Sequence, residues 1–391
     1  MPPEEPARGG LEPGESRPPP PRGWPDGFVS SRADRDAVLG LSRVELVPRD
    51  LHALAWEQGS AAACLREIRS APRWRGRAEN AGLDPAEIRA SVAACGAGVL
   101  AAGDPGFPES LLDLHDPPAW LFVRGVLPED ARWVTVVGAR RCSAYGREVA
   151  TAIGRGLGAA GVVVVSGAAS GIDGAAHRGA LEAHGPTVAV LGSGVDVPYP
   201  TGHRRLISRI ATEGAVVSEY PPGTRASRHR FPARNRIVAA LGEKAVVVEG
   251  ALGSGSRITA EFAMDLGREV FGIPGPVTSP LAAVPHELMR EGATLARGAA
   301  DVLESLELFS RGGEVRGASL EGPEARALEA LAGSASTLEE IVVRSGLAAG
   351  DALAALMGLE LRGLVRTAGG RYERTLAGAG GEVPEVNRSR T

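Results

Sequence analysis

The sequence predicts an α/β protein built on an open, mainly parallel sheet, and three observations predict it. Short apolar runs rich in β-branched residues recur at Trp133–Val137, Val162–Val165, Thr187–Leu191, Ala215–Ser218, Ala245–Val248 and Glu269–Ile273. Amphipathic stretches of helical length separate them, at about 143–160, 171–184, 202–212, 233–241 and 257–267. Nearly every run ends in a turn carrying Gly or Ser. Strands that are apolar without alternation are buried on both faces, as in a parallel sheet covered by helices. In such a sheet the turns after the strands line the carboxyl edge, where ligands bind.

The flanking segments differ. Residues 1–28 are dense in Pro, Gly and charge and lack apolar periodicity, which predicts a disordered arm. From 29 to 98 the apolar positions (Ala37, Leu39, Leu41, Leu51, Leu54, Ala55, Leu65, Ile68) describe a small helical module. The sheet core follows over 99–308, then a Gly-rich joint at 309–322. Three helical patterns at 323–332, 337–345 and 349–362 precede two short strand patterns, Leu364–Arg366 and Arg371–Glu373, around Gly369-Gly370. Three helices and a two-stranded wing describe a winged helix over 323–376, with Thr337 and Glu340 at capping-box spacing. Residues 377–391 read as a flexible tail.

Composition bounds the function. The chain has 391 residues, 43 Lys+Arg and 47 Asp+Glu, a net charge of −4. That length suits two or three domains. No apolar run approaches the ~18 residues of a membrane helix, and the N-terminus lacks the apolar region of a secretory signal. Cys64, Cys95 and Cys142 are scattered, with no C-x-x-C pair. That pattern fits a reducing cytoplasm and argues against a disulfide framework or a metal site. The net acidity is a sum over unlike parts. Residues 131–300 carry 19 Lys+Arg against 13 Asp+Glu, a surplus of six positive charges, and the rest carries 24 against 34. Local field steers a polyanion, so the acidic total does not exclude nucleic acid. Lys244 is the one lysine among the 43 cations, so any phosphate grip is almost entirely guanidinium.

Three turns could hold phosphate. Val137-Gly138-Ala139-Arg140 leads into a helix at Ser143, which would place backbone N–H groups and Arg140 on one spot. The second turn, Ser166-Gly167-Ala168-Ala169-Ser170-Gly171, adds two hydroxyls and two glycines. Asp173 after it reads either as a cap or as a holder for a neighbouring arginine. The third, Glu249 to Ser256, has glycines at 250, 253 and 255 and hydroxyls at Ser254 and Ser256. It lacks the Walker pattern, which disfavours nucleotide hydrolysis. The stretch His229-Arg230-Phe231-Pro232-Ala233-Arg234-Asn235-Arg236 gathers three arginines, an amide and an aromatic at a helix entry. Such residues are costly to bury unpaired and are expected to face a ligand, a partner or solvent. Arginines with a stacking ring bind single-stranded nucleic acid, although Phe231 before a proline reads equally as a core plug. Tyr199, His203, Arg204 and Arg205 form a second aromatic-plus-basic cluster. No catalytic constellation emerges, and His177 reads as a structural histidine.

These strings resemble the DNA-processing protein A family of natural transformation. They include Val136–Arg140, Ser166-Gly167 through Gly171–Ala180, Ala189–Asp196 with Tyr199-Pro200, and Ser218–Gly223. Phe231-Pro232 with Arg234–Val238, Ser254–Ser256 with Ile258–Ala260, and Gly267–Phe271 with Pro274-Gly275 complete the match. The resemblance is dense over about 100 to 300. It implies an extended Rossmann-like core and an N-terminal module of SAM-like type. It also implies binding of single-stranded DNA, dimerisation, loading of the RecA recombinase and no catalysis or cofactor. The site it implies, together with the clusters above, comprises Arg140, Ser166, Gly167, Ser170, Gly171, Tyr199, Arg204, Arg230, Phe231, Arg234, Asn235, Ser254, Gly255 and Ser256. Departures from the family pattern stand at Ala139, Ser170, where arginine is usual, His203, where asparagine is usual, and Val284-Pro285-His286. The alternative is a nucleotide phosphoribohydrolase on a related fold. Its P-G-G-x-G-T-x-x-E loop is met here only by the 249–256 turn and Glu261, without the initial Pro-Gly-Gly.

Overall fold

The computed structural model describes residues 21–44, 46–74, 84–307, 320, 322–331, 335–361 and 364–375. Of the arm expected over 1–28, residues 1–20 lie outside the described residues, as do 309–319 and 321 of the joint expected over 309–322 and the tail expected over 377–391.

Helices α1 (Arg32–Leu41), α2 (Pro48–Gln58), α3 (Ala61–Ser70) and α4 (Pro85–Ala94) come first. Their starts are set locally: Ser31 and Asp34 form a reciprocal capping box, Ser60 accepts from the Ala63 N–H, and Asp84 precedes a proline at the first helical position. Asp34 also accepts from the Ala62 N–H at 3.1 Å, tying α1 to α3. The arm expected to reach residue 28 ends earlier. Trp24 stacks on Phe28 at 4.6 Å and meets His52 edge-on at 5.1 Å, and Phe28 is buried. Two aromatics within five residues supply apolar area that the average composition of the segment conceals.

Strands β1 (Ala97–Ala101), β2 (Trp120–Gly125), β3 (Trp133–Val137), β4 (Val163–Ser166), β5 (Thr187–Val190), β6 (Ala215–Ser218), β7 (Lys244–Val247), β8 (Glu269–Gly272) and β9 (Thr294–Leu295) form one sheet. Its order is β1-β2-β6-β5-β4-β3-β7-β8-β9. β1 and β2 pair antiparallel, whereas β3 runs parallel to both β4 and β7. The pairs β4–β5, β7–β8 and β8–β9 are also parallel. Every residue of β4, β5 and β6 is buried, as expected of strands covered on both faces.

Helices α5 (Ala144–Ala159), α6 (Ile172–Glu182), α7 (Arg204–Glu213), α8 (Arg230–Leu241) and α9 (Gly255–Asp265) link the parallel strands, and α10 (Ala283–Arg290) and α11 (Ala299–Ser305) follow. α8 starts three residues before the expected 233, because proline is tolerated in a first helical turn and Pro232 lies there. α12 (Pro323–Ala330), α13 (Leu338–Ser345), α14 (Ala349–Leu361) and the antiparallel pair β10 (Val365–Ala368) and β11 (Arg371–Arg374) make the winged helix. The Thr337–Glu340 capping box opens α13, and Leu328, Ile341, Leu356, Leu359 and Leu364 close its core.

Two compact units divide the chain. One comprises Met1–Leu127, Leu191–Pro198 and Val217–Leu241; the other comprises Pro128–Val190, Tyr199–Val216 and Gly242–Thr391. Within the second unit the strand order reverses at β3, with β4 and β5 on one side and β7 and β8 on the other. The turns after β3 and β7 therefore flank the crevice where open α/β sheets take ligands.

Candidate functional site

In the second unit, the turn after β3 is pinned from two sides. The Ala139 N–H donates to Glu249 O at 2.7 Å, and Ala139 O accepts from the Ile172 N–H at 3.2 Å. Gly138 has no room for a side chain: a Cβ would stand 2.6 Å from Ile172 Cγ1 and 2.9 Å from Glu249 O. Arg140 is thus carried, exposed, on a fixed backbone. The start of α5 is not the open anion site that the sequence suggested. The Glu249 carboxylate, on a residue 5% exposed, accepts from the Ser143 N–H at 2.9 Å and from the Ser143 hydroxyl at 2.5 Å. Ser143 Oγ in turn accepts from the Gly146 N–H at 2.9 Å. An internal carboxylate occupies the helix start.

The second turn is closed in the same way. Asp173 Oδ2 accepts from the Gly167 N–H at 3.2 Å and the Ala169 N–H at 3.3 Å, so it braces the turn that precedes the helix. Ser166 is fully buried and donates its hydroxyl to Val136 O at 2.6 Å, bracing β4 on β3. Its proton is committed to the sheet. Gly171 has φ +81°, and a Cβ would overlap Ala139 O, so only glycine fits there. Ser170 is exposed. His203 holds this turn from below: its Nδ1–H donates to Ala168 O at 2.9 Å, which fixes the tautomer. Beside it, Tyr199 is 45% exposed and Arg204 opens α7 into solvent. His177 is fully buried and donates from Nδ1 to Thr187 Oγ1 at 2.7 Å, because the Thr187 proton goes to Val164 O.

The third turn carries hydroxyls where the others carry carboxylates. Ser254 Oγ and Ser256 Oγ share a hydrogen bond of 2.6 Å, and a Cβ on Gly250 would crowd both. Gly255 is exposed, Ser254 half-buried and Ser256 buried. Nearby, Glu261 is paired with Arg257 at 2.8 Å.

In the first unit, the His229–Arg236 stretch does not face outward as a whole. Arg236 is 2% exposed and grips Glu219 with two bonds of 2.7 and 2.8 Å, with a further bond from Nε to Asp116 O at 3.1 Å. Burial lowers its pKa, but Glu219 outweighs it and the net shift is upward. Arg234 is also buried, at 4% exposed, against the expectation that it faces ligand or solvent. Both lie near Tyr220, whose hydroxyl is pushed up to about 12 by burial and by Glu219. For Arg236 the two-bond pairing with Glu219 offsets the burial penalty on which the outward expectation rested. Arg230 is half-buried, with its guanidinium 4.9 Å over the Tyr220 ring and Nη1 donating to Arg225 O. Phe231 is half-buried against Gly192, and Asn235 is half-buried beside it in α8.

Residues 98–307 match the family described as DNA recombination-mediator protein A, more than half of the chain. The chain belongs to that family. Residues 315–371 match the DprA winged helix domain. A DprA protein of Mycobacterium tuberculosis is 48% identical over 256 residues, covering 64% of this chain and 66% of its own length, slightly under two thirds. The DNA processing protein DprA of Streptococcus pneumoniae is 43% identical over 209 residues, 52% of this chain and 72% of its own. The X-ray structure of the pneumococcal DprA superposes with a TM-score of 0.62 at 33% identity, covering 69% of this chain and 97% of that one. In this DprA family member, sequence reasoning missed Glu249 as the occupant of the α5 start. The signal was present: a lone acid directly after the buried run Val246-Val247-Val248 must find donors at the sheet edge. Among the described residues no single helix is long and apolar enough to cross a membrane, and no group of three or more His, Cys, Asp or Glu stands ready to hold a metal.

Proposed function

We propose that this chain binds single-stranded DNA without sequence preference, shields it and helps load the RecA recombinase, as a cytoplasmic homodimer without catalytic activity. The observation that carries the reading is the exposed Arg140 on its pinned turn, within a core that matches a DNA recombination-mediator family. A guanidinium offers a phosphate paired, charge-assisted donors, and rigid support lowers the ordering cost of binding. Exposed Tyr199 and Arg204 offer a stacking face and a second cation at the start of α7. The hydroxyl turn at Ser254–Ser256 supplies neutral donors. The non-catalytic reading is supported by the commitments of Asp173, Glu249 and His177, each bound to structural partners. Replacing Arg140 by Ala is expected to weaken binding of a labelled oligonucleotide by roughly 1–3 kcal/mol, the range of a charged hydrogen bond. Unchanged affinity in a folded Arg140→Ala protein removes Arg140 from the interface.

A further inference from the structure

We propose that Glu249 is a specificity-determining residue, a built-in stand-in for phosphate that closes the sheet's switch point to free nucleotides. The turns after β3 and β7 flank the crevice where open α/β folds commonly seat a nucleotide phosphate on a helix N-terminus. Here the buried Glu249 carboxylate lies across that helix start. One oxygen takes the Ser143 N–H at 2.9 Å and the other takes the Ser143 hydroxyl at 2.5 Å. The fit is tight enough that a Cβ on Gly146 would overlap the carboxylate. A helix cap needs only Ser143, which already accepts from the Gly146 N–H. Glu249 adds negative charge and volume at the position a phosphate would take, and its own backbone carbonyl holds Ala139 in the facing turn.

Asp173 closes the neighbouring turn by the same chemistry, taking the Gly167 and Ala169 N–H groups. Two adjacent turns with nucleotide-binding geometry are thus filled from within. A mononucleotide that reached the crevice would meet a carboxylate in place of free donors. The consequence is selectivity: abundant free nucleotides find no seat at the α5 start.

The test uses the full chain with AMP and inorganic phosphate as probes, in calorimetry and thermal melts. The native protein is expected to give no saturable heat with either. Glu249→Ala opens the position and leaves the half-buried Ser143 donors without an anion. It is expected to melt lower, to regain melting temperature with phosphate but not with chloride at matched ionic strength, and to bind AMP saturably. Glu249→Gln keeps the volume and is expected to bind neither probe. A carboxylate with a purely structural role would lower the melting temperature in the alanine variant without phosphate rescue, and that result overturns the proposal. Saturable AMP binding by the native protein that Ser143→Ala abolishes overturns it as well, and does so even if Glu249→Ala fails to fold.

Discussion

Arg140 and Arg236 are the same side chain in opposite surroundings, and the difference lies in what each backbone position faces. Arg140 stands exposed on a turn, whereas Arg236 is buried with Glu219 in a two-bond grip. Removing one partner of a buried pair leaves the other charge stranded. Arg236→Ala is therefore expected to cost about 3–5 kcal/mol in urea unfolding, with Arg236→Lys recovering only part because an ammonium cannot match both carboxylate oxygens. The burial of Arg236 was not legible in its own stretch, since its deciding partner is 17 positions away. Asp34 shows a second residue-scale effect. Burial works to raise its pKa, but the Ser31 hydroxyl and the Ala62 and Ser31 N–H groups outweigh it and hold the carboxyl below its ordinary value. A carboxyl depressed on folding stabilises the protein above its unfolded pKa of about 3.9 and loses that contribution as pH falls through the folded value. The stability gap between the native protein and Asp34→Ala is therefore expected to be widest near neutrality and to shrink as pH falls below the unfolded value in thermal melts. A gap that stays constant contradicts it.

At the scale of elements, the apolar runs placed six central strands within a residue or two, because strands buried on both faces cannot hide their composition. β1 and β2 were not read from the sequence, β1 straddling the boundary expected at 98, and β9 has two residues, too few for any period. The three turns were legible as glycine–hydroxyl clusters, yet their occupancy was not. Which carboxylate reaches a turn depends on strand neighbours such as β3 and β7, whose turn residues Ser143 and Glu249 lie 106 positions apart. Gly171 links two of these turns through its φ of +81° and its contact with Ala139 O. Gly171→Ala is expected to destabilise by more than about 1 kcal/mol, since alanine at positive φ is strained even where space exists. It should also lower DNA affinity by shifting the Arg140 backbone. A Gly171→Ala protein with native stability and affinity would show that the two turns are not coupled.

For the whole molecule, net charge misleads and its distribution informs. The sheet core holds a surplus of six positive charges between 131 and 300 inside a chain of net −4. Arg132, Arg209 and Arg257 are paired with Glu243, Glu213 and Glu261, and because both partners of each pair lie in this segment the surplus stands unchanged. The winged helix adds little to that field: α13 starts with two acids, and Arg366 in β10 is engaged by Glu148 and Glu373. The central claim, that exposed arginines at the carboxyl edge bind single-stranded DNA, is tested most directly by a salt series. Binding of labelled single- and double-stranded oligonucleotides is measured by mobility shift for the native protein and Arg140→Ala. The expected result is preference for the single strand, a steep fall of log affinity with log salt, and a slope shallower by about 0.7 in the variant. Absence of binding at low salt, or a slope unchanged by Arg140→Ala, would contradict it.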